Sequence, residues 1–138
     1  MWPIASRWPD KRLEIYLGQA FENFCIQHAD TIAEMLGFSV VAYDCGSWFK
    51  RKDLTDGAQI DLLFKRADNV VTLCEMKHRR RVTRAVIDEA EAKADALQLG
   101  SSITVEKVLI SARPPEQEVY NAGYFSRILT IEDFVAAP

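Results

Sequence analysis

Two carboxylates and one amine fall inside apolar runs of this chain: Asp61 in Gly57-Ala-Gln-Ile-Asp-Leu-Leu-Phe64, and Glu75 and Lys77 in Val70-Val-Thr-Leu-Cys-Glu-Met-Lys77. Both runs read as strands covered on two faces, where unpaired charge is costly. A buried ion-pair cluster is the structural alternative, but such clusters rarely gain stability over apolar replacements. Two ionised carboxylates with Cβ atoms about 5 Å apart repel by about 3 kcal/mol at an effective dielectric near 20. Lys77 offsets part of that, and an oxygen-lined site beside a lysine also suits Mg²⁺, commonly completed by substrate phosphate oxygens. The chemistry this points to is metal-assisted phosphodiester hydrolysis, with Mg²⁺ as cofactor and Mn²⁺ as its substitute.

Strand register decides whether these groups meet. Asn tolerates the left-handed conformation that closes a three-residue hairpin loop, so Ala67, Asp68 and Asn69 are expected to form one. Arg66 then faces Val70, Asp61 faces Glu75, Lys77 shares that face, and Met76 points away. A two-residue loop would oppose Asp61 to Cys74 and dissolve the site. Gln59 shares the face of Asp61, either as a contact to the scissile phosphate or as a strand residue making hydrogen bonds.

The surrounding elements follow from periodicity. Apolar positions Leu13, Leu17, Phe21, Phe24, His28, Ile32 and Leu36 predict a long helix or two joined ones, from an Asp10 N-cap to a stop at Gly37. Glu22 lies at the edge of that stripe, and His28 is read as a core histidine. Phe38 to Tyr43 predicts a first strand, extended by Ser47-Trp-Phe49; Trp48 and Phe49 are read as core or partner-interface aromatics, with base stacking as the alternative. Lys50 to Gly57 reads as a polar connector. Val82 to Leu99 predicts an amphipathic helix carrying a Glu89–Lys93 pair on its surface and ending at Gly100. A strand over 103–110, a short helix over 116–122, a strand over 124–130 and a capping box at Thr130-Ile-Glu-Asp133 complete the chain. The expectation is an α/β fold in a single domain over residues 1–138, its first three strands an antiparallel meander and the next parallel to the third.

The 138 residues are 49% hydrophobic and 27% charged, ordinary for a globular domain large enough to bury a core. No apolar run is long enough to span a bilayer and the N-terminus has no apolar signal region, so a cytoplasmic location away from membranes is expected. Cys25, Cys45 and Cys74 are read as reduced small hydrophobes, and with only two histidines a zinc centre lacks ligands. The net charge of −3 excludes a global attraction to nucleic acid. Two local clusters, Lys50-Arg51-Lys52 and Lys77 with Arg79, Arg80, Arg81 and Arg84, instead form candidate phosphate-binding surface beside the carboxylates. His78 is expected to point away from the site in a regular strand.

A helix glutamate (Glu22 in Gly18-Gln-Ala-Phe-Glu-Asn-Phe-Cys25), Ile60-Asp61 on a strand and Glu75-Met-Lys77 on the next resemble the PD-(D/E)XK nuclease superfamily. The resemblance spans nearly the whole chain and implies a restriction-endonuclease-like three-layer core, a central mixed sheet flanked by helices. Gly57-Ala-Gln-Ile-Asp-Leu-Leu63 with Leu73-Cys-Glu-Met-Lys77 looks closest to the nuclease-like domain at the C-terminus of a group of prokaryotic P-loop ATPases. Ile60 stands where that family has proline. The chain has no G-x-x-x-x-G-K-[S/T], so an ATPase module would lie in a longer parent chain or in trans.

By that resemblance Asp61 and Glu75 would ligate the divalent metal with the backbone carbonyl of Met76. Lys77 would orient or deprotonate the attacking water, and Glu22 would bind a second metal or a metal-bound water. The implied function is a Mg²⁺-dependent deoxyribonuclease, endonuclease or exonuclease, with DNA as its partner and a homodimer expected where both strands are cut. The alternative is a non-catalytic nucleic-acid-binding or protein-interaction module accessory to an ATPase.

Overall fold

The computed structural model describes residues 11–50 and 58–136, the side chains of Lys50 and Ala58 excepted. The Asp10 cap, Arg51, Lys52 and the Lys50 side chain therefore lie outside the described residues.

The long apolar periodicity resolves into two helices, α1 (Lys11–Gln27) and α2 (Ala29–Leu36). At His28 the backbone leaves helical geometry, its N–H held at 3.1 Å by both Phe24 O and Cys25 O. His28 is exposed, a correction to its reading as a core residue: its ring stacks on Phe24 with centroids 4.3 Å apart, and Nδ1 lies 2.8 Å from Phe24 O. Gly37 stops α2 as expected. Its φ of +86° suits a residue without Cβ, and Phe38 N–H reaches back to Ala33 O at 3.0 Å.

The first strand begins later than the valine-rich alternation suggests. Phe38 is buried against Tyr43 and Phe64, and Val41 N–H bonds Phe38 O at 2.9 Å, so residues 38–41 turn rather than extend. The strand is β1 (Tyr43–Lys50), because that is the stretch that finds a partner in β2 (Ala58–Arg66). β2 pairs antiparallel with β3 (Val70–Lys77), from Leu62↔Cys74 to Lys65↔Val71. The same count opposes Arg66 to Val70 across a three-residue loop, and Asn69 there has φ +64°. Arg66 clamps the loop through Asp68, at 2.7 and 3.1 Å.

From β3 the chain crosses through α3 (Ala85–Leu97) to β4 (Thr104–Ser111), parallel to β3, then through α4 (Gln117–Ala122) to β5 (Arg127–Thr130), parallel to β4. The result is an α/β fold whose five-stranded mixed sheet runs in chain order, β1 to β5. α3 ends at Gln98, not Gly100: Gln98 takes φ +49° while the Gly100 carbonyl accepts a bond from Ile103 N–H in the turn into β4. β5 is shorter than expected because Tyr124 and Phe125 leave the strand direction to pack under α3. Thr130 caps α5 (Ile131–Ala136): its N–H donates to Asp133 Oδ2 at 2.7 Å, as the capping-box spacing predicts.

Helices cover the sheet on both faces. Phe21, Cys25, Ile32 and Phe38 pack on Leu62, Phe64, Cys74, Met76, Val108, Ile110 and Leu129. On the other face Val82, Val86, Ala90, Val119 and Phe125 pack on Leu109. Cutting the fully buried Phe64 to alanine would cost about 3–5 kcal/mol. With Met76 in the first core, strand alternation turns Glu75 and Lys77 toward α3. Among the described residues no helix is long and apolar enough to cross a membrane.

Candidate active site between two helices and a strand fork

The β2–β3 ladder stops at Leu62↔Cys74, whereas β3 stays paired to β4 through Lys77↔Ser111. Asp61 and Glu75 stand one step past the last rung, where the two strands part. On its other side β2 pairs Leu63 with Gly46 but Ile60 with Trp48, so Asp61 and Leu62 lie opposite Ser47 alone. That bulge places an irregularity of the sheet at Asp61, just past the end of the β2–β3 ladder. Gln59, two residues back on the same face, donates from Nε2 to Asp61 Oδ1 at 2.9 Å. The register is the one counted from the sequence; the fork and the bulge are not visible in a count that assumes regular strands.

Glu75 is only 3% exposed. Its Oε1 accepts from Lys93 Nζ at 2.6 Å and lies 3.9 Å from Lys77 Nζ. Lys77 is held more closely by Glu89, at 2.8 Å, and Glu89 also binds Arg79 at 3.2 Å. The surface Glu89–Lys93 pair expected on α3 is therefore replaced by two bonds to β3. A carboxylate removed from water needs a cation more than a partly solvated one does, so the buried Glu75 takes Lys93 and leaves Glu89 to Lys77 and Arg79. Burial pushes the Glu89 carboxyl upward, but the hydrogen bond and charge of Lys77, with Arg79, outweigh it and hold the group below its ordinary value.

Glu22 reaches the site from α1, half-buried. Burial first, then the negative charge of Asp61, raises its proton affinity; Lys93 and Lys77 oppose the shift and Glu75 adds to it. Two clefts adjoin here. One of about 570 Å³ is lined by Ile15, Gly18, Gln19, Glu22, Gln59, Asp61 and Lys93. The other, about 220 Å³, is lined by Glu14, Gly18, Glu22, Met76, Lys77, His78 and Arg79. Gly18 and Glu22 belong to both. β3 ends at Lys77, so His78 lines the second cleft rather than following strand alternation away from it.

Glu14, Glu22, Asp61, Glu75 and Glu89 give the site five carboxylates against the three cations Lys77, Arg79 and Lys93. Glu75 Oε2 is buried without a hydrogen-bond partner. An excess of hard oxygen donors with one orphaned carboxylate oxygen fits Mg²⁺ better than a thiol- or imidazole-seeking ion. Among the described residues no three His, Cys, Asp or Glu side chains are gathered tightly enough to enclose an ion as they stand.

The basic run is partly neutralised. Arg79 binds Glu89, Arg81 binds Glu116, and the Arg84 backbone N–H donates to Glu118 Oε1 at 3.1 Å. All three side chains and that of Arg80 remain exposed. Trp48 is half-buried and Phe49 is exposed. Cys25 and Cys74 are buried, with burial pushing the Cys25 thiol up to about 12. Cys45 is exposed, which corrects its reading as a small core hydrophobe. Sequence reasoning missed Lys93 and Glu89 as site residues. The available signal was their place beside Val86 and Ala90, which face the sheet.

No protein-family model matches the chain, and neither a curated protein nor a solved structure matches it significantly.

Proposed function

We propose that this protein is a divalent-cation-dependent nuclease of PD-(D/E)XK type, hydrolysing phosphodiester bonds with DNA as the expected substrate. The observation that carries the reading is that Glu22 from α1, Asp61 from β2 and Lys77 from β3 line two adjoining clefts at a strand fork, with the buried Glu75 of β3 bound to the cleft-lining Lys93. The element order, with an antiparallel β1–β2–β3 set followed by a helix and a parallel strand, supports the fold half of the proposal.

Asp61 and Glu75 would hold the cation with the Met76 carbonyl, and Glu22 would act through a second cation or an ordered water. Bound there, Mg²⁺ supplies Lewis-acid polarisation of a phosphoryl oxygen and a more acidic water. The chain's own groups do the rest. Gln59 keeps Asp61 oriented, and Lys77, steadied by Glu89, lines the cleft with His78 and Arg79, where it can orient the attacking water and donate to developing negative charge. Exposed Arg80 and Arg84 provide phosphate contacts.

A second reading, a nucleic-acid-binding or interaction module accessory to an ATPase, is favoured by one fact: Glu75 already has a protein cation, Lys93, at 2.6 Å. Mn²⁺ titration with a parallel cleavage assay separates the two. The nuclease binds Mn²⁺, nicks DNA and loses both properties in Asp61→Ala and Glu75→Ala. A wild type that binds oligonucleotide but neither binds Mn²⁺ nor cleaves any strand rules the enzyme out.

A further inference from the structure

Lys93 does something that the roles given to β2 and β3 leave unexplained. Its ammonium stands between the buried Glu75 carboxylate, at 2.6 Å, and the open cleft it lines with Glu22, Gln59 and Asp61. Its side chain is 24% exposed against 3% for Glu75, so it is the solvent-side member of the pair. The second Glu75 oxygen has no partner, so the carboxylate is only half satisfied by the lysine. Lys77, 3.9 Å away, is committed to Glu89 at 2.8 Å and does not replace it.

We propose that Lys93 is a displaceable occupant of the cation position at Glu75. Its ammonium holds the carboxylate while no divalent ion is present, and withdraws into the cleft when one binds. The inference rests on the reading of Asp61 and Glu75 as a metal site. A compact charge on a flexible four-carbon stem can leave without moving α3. An ammonium and a dication on one carboxylate repel, so occupancy by one weakens occupancy by the other. The consequence is a site that folds without metal and binds metal more weakly than its donors alone would allow.

Two measurements on the full chain test this with Mn²⁺ alone as probe. Calorimetric titration should show Lys93→Gln binding Mn²⁺ roughly 5- to 150-fold more tightly than wild type, the range of an ordinary coupling between two ligands of one group. In wild type, labelling of Lys93 by an amine-reactive reagent at fixed pH, read by mass spectrometry, should rise with Mn²⁺; in Glu75→Gln it should not respond. The labelling arm needs no Lys93 variant to fold. Unchanged or weaker Mn²⁺ affinity in Lys93→Gln, or labelling indifferent to Mn²⁺ in a wild type that binds it, overturns the role of Lys93 and leaves the metal site standing. If neither wild type nor Lys93→Gln binds Mn²⁺, the metal-site reading falls and this one with it.

Discussion

Lys93 and Glu75, eighteen positions apart, meet at 2.6 Å, while Glu89, one turn away from Lys93 on the same helix, is bound to Lys77 at the end of β3 and to Arg79 just beyond it. α3 is thus joined to β3 by crossed ion pairs, and the charge balance of the site is set by helix and strand together.

Glu22 should weigh against stability at neutral pH. Its carboxyl is raised by burial and by Asp61, so the folded protein holds that proton more tightly than the unfolded chain. The proton's stabilising contribution is complete below the ordinary glutamate value and is lost as pH rises through the folded one. Glu22→Gln keeps it throughout. In cation-free buffer the variant should be more stable than wild type at pH 8, by no more than about 1 kcal/mol after solvent screening, with the gap closing on acidification. Added Mn²⁺ should raise wild type more than the variant. Melting curves across pH, with and without Mn²⁺, check both.

Glu89 should behave the opposite way. Its carboxyl is held below the ordinary value, so its contribution is present above that value and is lost as pH falls through the folded one. Glu89→Gln should lower the free energy of unfolding at pH 7 by about 1 kcal/mol or less and match wild type near pH 3. Under the proposed nuclease function it should also slow cleavage, because Lys77 loses the partner that steadies it.

The sequence carried the register of β2 and β3, since Asn69 at a left-handed position and alternate apolar residues fix it in one step. It also carried Glu22, Asp61, Glu75 and Lys77 as charges in apolar company. It did not carry the partner of Glu75. A surface rule pairs Glu89 with Lys93 because they are four apart, and the competing demand of a buried carboxylate appears only once α3 is laid on the sheet. Nor could it place the start of β1, because Phe38 to Val41 has strand-like composition but no strand beside it.

Gly18 lines both clefts, and a Cβ built there would meet nothing within 4 Å. Gly18→Ala should therefore stabilise α1 by about 0.5–1 kcal/mol. If a strand of nucleic acid passes over that point, the same methyl group should weaken oligonucleotide binding several-fold. A melt and a fluorescence-anisotropy titration on one sample read the two effects, and unchanged affinity would place the path of the strand elsewhere.

Arg80 and Arg84 are exposed, while Arg81 is tied to Glu116. Substituting Arg80 and Arg84 with alanine should flatten the dependence of log affinity on log salt by about 0.9 for each duplex phosphate that is no longer neutralised. Arg81→Ala should flatten it less. Equal slopes in all three proteins would exclude this run from the interface.

The sheet lies in chain order, and that governs how the site comes into being during synthesis. All of β2 and β3, Asp61 and Glu75 included, is synthesised before any of α3. At about 5–20 residues per second, Lys93 follows Glu75 by roughly one to four seconds. During that interval Glu75 is without the lysine that pairs with it in the folded protein.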